Sequence, residues 1–90
     1  MKALVLTNQF KRDLKLCRRR GWDIERLSAV LRILAAGDPL PPKNRDHALV
    51  GNWGGFWECH VAPDWLLVYE ATQTEVRLAR TGTHADLFAK

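Results

Sequence analysis

The period of the apolar positions changes twice along the chain. Leu4, Val5 and Leu6 form a short continuous run that predicts a first strand over Lys2 to Leu6. From Phe10 the period lengthens: Phe10, Leu14 and Cys17 recur at i, i+4 and i+7, which places them on one face of a helix. Thr7 or Asn8 can cap its start, because a side-chain oxygen there accepts from the free N–H groups of the first turn, and Gly21 suits its end. Asp23 caps a second helix, with Ile24, Leu27, Val30, Leu31 and Leu34 as its apolar stripe and Gly37 as its stop. Two amphipathic helices joined by Arg20, Gly21 and Trp22 make a helical hairpin that needs a sheet to cover. The three prolines between Gly37 and Pro42 then forbid further helix and deliver the chain to a polar loop, Lys43 to His47.

Beyond this loop the pattern turns to that of strands. Gly54 and Gly55 interrupt the run from Trp53 to His60 and suggest a bulge before a strand that starts near Phe56. Trp65 to Glu70 and Glu75 to Arg80 are the next two strands, and turns of about four residues between them predict an antiparallel meander. With four residues in both turns, His60 faces Trp65, Glu70 faces Glu75, and Trp65 in turn faces Arg80. His60, Trp65 and Arg80 then form one row across three strands, an arrangement that a slip of one residue in either turn destroys. Thr81 to Phe88 reads as a polar tail with His84 in a loop. The expected fold is a small α+β domain spanning residues 1–90, with a curved, mainly antiparallel sheet and the helical hairpin on one face.

Composition narrows the class of function. The chain has 90 residues, 47% hydrophobic and 27% charged, which suits one modest core. No run approaches the roughly 18 apolar residues that span a bilayer, and the apolar start is too short for a secretory signal, so the expected location is the cytoplasm, with no membrane partner. Cys17 and Cys59 each occupy a position where a small apolar residue serves equally, and are expected to be reduced and buried. The net charge is +4, and six of the fourteen Lys and Arg lie between Lys11 and Arg20. Such a concentrated positive field favours an anionic partner, a nucleic acid or an acidic protein.

All three histidines, His47, His60 and His84, lie in the second half of the chain with Asp64, Arg80, Trp65 and Phe88. Cleavage of RNA needs a base for the 2′-hydroxyl, an acid for the departing 5′-oxygen and a cation for the charge on phosphorus. Histidine and aspartate cover the proton transfers, and arginine can hold the phosphate. Each residue also has an ordinary reading: the histidines as solvated or capping groups, Asp64 as a turn former, Trp65 as a core or rim aromatic, Arg80 as an ion-pair partner. A zinc site is disfavoured, because no pair of Cys or His has ligand spacing and the adjacent Cys59 and His60 point to opposite faces of a strand. A nucleic-acid-binding module or repressor without catalysis is the competing class. It keeps basic charge and aromatics but has no need of His and Asp together at one end of a sheet.

Three stretches, Asp46 to Trp53, His60 to Tyr69 and Arg80 to Phe88, resemble in order and interval the YafQ branch of the RelE superfamily of bacterial toxins. Residues 1–45 match only in pattern. The resemblance implies a type II toxin–antitoxin component, an endoribonuclease that enters the ribosomal A site and cuts mRNA without a metal or other cofactor. Its functional positions fall on His47, His60, Asp64, Trp65, Arg80, His84 and Phe88, none of them substituted. On that reading His84 is the choice for general acid and Asp64, with or without His60, for the base side, roles that could be exchanged; Arg80 neutralises the phosphate, His47 positions it, and Trp65 and Phe88 stack on or wall the substrate nucleotides. Lys11, Arg12, Lys15, Arg18 and Arg19 would meet ribosomal RNA or the acidic surface of a cognate antitoxin.

Overall fold

The computed structural model describes residues 1–88, and its elements begin where the capping chemistry indicates. Strand β1 covers Ala3–Leu6 and helix α1 covers Asn8–Arg19. Thr7 caps α1: its Oγ1 accepts from Phe10 N at 3.1 Å and also donates to the Leu78 carbonyl at 2.8 Å, which ties the helix start to the sheet. Gly21 closes α1 at φ 77°, so that Trp22 N can reach back to the Cys17 carbonyl. Helix α2, Ile24–Ala36, is capped by Asp23, whose carboxylate accepts from Glu25 N at 3.0 Å.

Two short 3-10 turns, Pro42–Asn44 and Gly51–Trp53, flank the two-residue strand β2, His47–Ala48. Strands β3 (Trp57–Ala62), β4 (Trp65–Ala71) and β5 (Glu75–Gly82) follow, and a short helix α3, His84–Phe88, ends the described chain. The five strands form one sheet in the order β1-β5-β4-β3-β2, with β1 parallel to β5 and the other pairs antiparallel. The meander is therefore present, and the α+β class and mainly antiparallel sheet are as expected.

Its register is not. The β3–β4 connection is the two-residue turn Pro63-Asp64 with a bulge at Val61, so His60 faces Leu66 and Trp65 faces Ala62. A second bulge, at Ala79, sets Arg80 opposite Val68. The row of His60, Trp65 and Arg80 does not exist, because each extra residue shifts the pairing that equal turns would have imposed. The anticipated bulge at Gly54-Gly55 is instead a turn leading into β3. Thr81 to Phe88 is no polar tail: β5 runs on to Gly82, and His84 opens a helix.

One sheet face carries the main core. Phe10 and Cys17 of α1 and Leu27, Val30 and Leu34 of α2 bury against Cys59, Val61, Trp65, Leu67, Tyr69, Val76 and Leu78. The other face holds a smaller cluster of Leu66, Val68 and Leu87, bordered by Leu49, Trp53, Phe56, Ala79 and Phe88. Both cysteines are free and buried, as expected, and burial pushes the Cys17 thiol up to about 11 and that of Cys59 up to about 12, so neither is a ready nucleophile. No helix among the described residues is long and apolar enough to cross a membrane.

Candidate active site

The alternation of β3 and β4 sorts the chemistry onto the sheet face away from α1 and α2. Cross-strand partners share a face. His60 pairs with Leu66, Glu58 with Val68, and His47 with Glu58, so all three polar side chains stand on the face of the smaller cluster. The tight turn Pro63-Asp64 carries Asp64 to the end of this face, and the chain after β5 brings His84 to meet it.

That meeting depends on the local sequence Gly82-Thr83-His84-Ala85-Asp86. Thr83 Oγ1 accepts from Asp86 N at 3.0 Å while Thr83 N donates to Asp86 Oδ2 at 2.9 Å, a reciprocal cap that starts α3. Leu87 and Phe88 then enter the smaller cluster and hold the helix against the sheet. His84 is left at the first helical position, where its backbone N–H donates to Asp64 Oδ1 at 3.2 Å and its ring Nδ1 lies 2.9 Å from the same oxygen. These bonds hold the Asp64 carboxyl below its ordinary value, the ring bond foremost and the backbone bond next. With the Nδ1 proton directed at a carboxylate, Nε2 is the nitrogen free for chemistry. Both side chains face solvent, at 56% and 65% exposure, so a large substrate can reach them.

His60 lies beside this pair, its ring centroid 6.0 Å from that of His84. Phe88 borders His84 on another side at 6.5 Å and meets Trp53 edge-on at 6.1 Å, forming an aromatic wall. His47 is held differently. Its Nδ1 lies 2.7 Å from the Arg45 carbonyl, and its Nε2 is 3.3 Å from Glu58 Oε1. The loop that supplies this carbonyl is fixed by Asn44, which donates to the His60 carbonyl at 2.7 Å, and by the Tyr69 hydroxyl, which donates to the Asp46 carboxylate. Arg45 itself adopts φ 48°, a left-handed conformation uncommon outside glycine.

Two of the expected site residues are engaged by the helix layer. Trp65 is 4% exposed, packs against Trp22 with centroids 4.9 Å apart, and donates from Nε1 to Thr81 Oγ1 at 2.9 Å. Its ring is a core wall and has no free face for a nucleotide. Arg80 turns toward α1, where Nε and Nη2 donate to Asp13 at 2.7 and 3.2 Å. Of α1, Lys11, Arg12, Lys15, Arg18 and Arg19 are exposed, and none forms an ion pair among the described residues.

Sequence pattern did not single out Glu58, Asp13 or Asp86. Glu58 had a signal, since a strand places residues 58 and 60 on one face. Asp13 also had one: it falls with Phe10 and Cys17 on the buried stripe of α1, and it is the acceptor for both Arg80 and Thr81 N. The pattern Thr83-x-x-Asp86 was the signal for α3.

Comparison with known proteins decides the family. Residues 2–89 match the family described as bacterial toxin of type II toxin–antitoxin system, YafQ. This chain belongs to the YafQ toxin family. Among YafQ proteins it is 41% identical over 83 residues to the mRNA interferase toxin YafQ of Escherichia coli K12, covering 91% of this chain and 90% of that protein. The crystal structure of YafQ from E. coli BL21(DE3) superposes with a TM-score of 0.92 at 37% identity, covering 98% and 99% of the two chains. YafQ in the E. coli DinJ–YafQ toxin–antitoxin complex gives 0.90 at 39% identity over 97% of each chain. The three-motif resemblance and the expected fold class agree with these findings.

Proposed function

We propose that this YafQ-family toxin acts in the cytoplasm as a single-domain endoribonuclease that enters the ribosomal A site and cuts mRNA there, using the RNA's own 2′-hydroxyl and requiring no metal. The enzyme class, an mRNA interferase toxin of a toxin–antitoxin system, is that of its family. The observation that carries the chemistry is the grouping of His60, His84 and Asp64 on an open sheet end.

In the step proposed, the 2′-oxygen attacks phosphorus as His60 takes its proton, and the bond from phosphorus to the 5′-oxygen breaks as His84 Nε2 supplies a proton to that oxygen. The products are a 2′,3′-cyclic phosphate and a 5′-hydroxyl, and the two histidines have exchanged protonation states. Each proton transfer is typically worth about 10²–10⁴ in rate. Asp64 acts by orienting His84 rather than as the base: one of its oxygens already accepts two bonds from His84, and its lowered pKa weakens it as a proton acceptor. His47, backed by Glu58, positions the phosphate, and Phe88 walls a substrate base. Arg80 contributes through Nη1, the nitrogen not bonded to Asp13, while Trp65 supports the site from the core. The free basic face of α1 fits ribosomal RNA, whose phosphates attract it without sequence choice. A cognate antitoxin is the expected protein partner, as DinJ is for the E. coli relative.

Mapping of 5′ ends on a defined mRNA, free and on programmed ribosomes, tests this reading. Cuts only on ribosomes and in phase with the reading frame are expected. A folded protein that makes no cut in either condition would instead be a binding module.

A further inference from the structure

Arg20 is the one residue of the basic run from Lys11 that has an ion-pair partner among the described residues. It caps the C-terminus of α1, and its Nη1 and Nη2 donate to the two oxygens of Asp86 at 2.6 and 2.9 Å, across a sequence separation of 66 residues. The guanidinium also lies over the Trp22 ring, 4.9 Å from its centroid, and Trp22 rests on the buried Trp65. The fork is therefore braced against the edge of the core.

Its target carries the site. Asp86 Oδ2 also accepts from Thr83 N, and Gly82 leaves the space for this carboxylate: a Cβ at Gly82 would stand 2.8 Å from the same oxygen. Helix α3 has only five residues and cannot persist on its own hydrogen bonds. It is attached through Leu87 and Phe88 in the smaller cluster at one end and through Asp86 near the other. His84 stands two residues before Asp86. Arg20 and Asp86 make no hydrogen bond to His84 or Asp64 among the described residues.

We propose that Arg20 and Asp86 form a clasp that positions His84 for proton transfer, fixing the start of α3 from the helix side of the sheet while Asp64 fixes the imidazole from the β3–β4 turn. Neither clasp residue touches RNA. The proposal rests on the cleavage reading above for its kinetic consequence, but the orientation of His84 can be read without RNA.

The test compares wild type with Arg20→Gln, Asp86→Asn and the double variant, by kcat and KM on ribosome-bound mRNA and by the ring nitrogen resonances of His84. Both single variants should lose about 10- to 100-fold in kcat, since misplacement by about 1 Å costs on this scale, with little change in KM. The double variant should be no worse than the poorer single, because each change opens the same clasp. Arg20→Lys, which keeps charge without the fork, should fall between. Arg77→Gln, which removes the surface pairs to Glu70 and Glu75, should leave kcat unaltered. The His84 resonances should shift in both clasp variants.

Unchanged kcat in both singles overturns the proposal, and so does a raised KM with unchanged kcat, which would make Arg20 an RNA contact. If wild type itself makes no cut, the cleavage reading fails, while a His84 shift still supports the clasp and an unmoved spectrum overturns it. Should Arg20→Gln fail to fold, Arg20→Lys and Asp86→Asn carry the same readings.

Discussion

The two faces of β4 carry different tasks on alternate residues. Trp65, Leu67 and Tyr69 point to α1 and α2 and are sealed in the main core, whereas Leu66 and Val68 point to the small cluster that borders His60 and α3. The helix side is deep and dry, and its polar groups are closed by internal bonds: Trp65 to Thr81, and Thr81 N to Asp13. Across the sheet the cover is thin, and Asp64 and His84 face solvent. Residue type alone therefore does not mark a site residue here. Trp65 has the chemistry of a substrate contact and the surroundings of a structural residue.

The largest test of this contrast is Trp65→Ala. It should destabilise the fold by about 3–5 kcal/mol, as truncation of a core aromatic does, and thermal or denaturant unfolding measures it. Phe88→Ala, on the thin side, should cost clearly less stability but impair cleavage. Equal losses at the two positions would erase the distinction between the faces.

His84→Ala should lower cleavage by about 10²-fold or more with the fold intact, because it removes the exposed side chain proposed as the proton donor. End mapping under single-turnover conditions reads the loss, and an unchanged rate would remove His84 from the mechanism. Arg80→Ala should cost stability as well. It strips the buried Asp13 of a charged partner, so a cost of about 3 kcal/mol is expected alongside any loss of rate.

A smaller effect concerns pH. The Arg20 fork, first among the causes, and the Thr83 bonds hold the Asp86 carboxyl well below its usual 3.8. Because the folded value is depressed, the stabilisation is fully present above the unfolded value of about 4 and is lost as pH falls through the folded one. The difference in melting temperature between wild type and Asp86→Asn should therefore hold steady from neutral pH down to about 5 and shrink below about 4. A difference that persists at low pH would mean that the clasp does not depend on the charge of Asp86. The smallest change expected is at the α1 surface. Arg18→Gln with Arg19→Gln should flatten the salt dependence of ribosome binding, by a slope of about 0.7–0.9 for each phosphate that is no longer neutralised.

Much of the architecture was legible in the chain. Thr7, Gly21, Asp23 and Gly37 mark the ends of both long helices because capping is an interaction between near neighbours. The strands were legible for a similar reason, since burial on one or both faces imposes its period directly on the sequence. The histidines and Asp64 could be named as candidates from residue type and resemblance.

Register and pairing were decided in three dimensions. Whether the β3–β4 link is four residues or two with a bulge at Val61 depends on how the whole strand packs, and that choice sends Trp65 inward and leaves His60 on the open face. Arg80 finds Asp13 across 67 positions and Arg20 finds Asp86 across 66, distances over which local pattern carries no information. The two long helices, the four longer strands and the chemical inventory could be read from the chain alone, because they follow from interactions between near neighbours, whereas β2 and α3 could not. Which members of that inventory meet was settled only on folding, because a sheet bulge or a long-range ion pair depends on the packing of the entire chain.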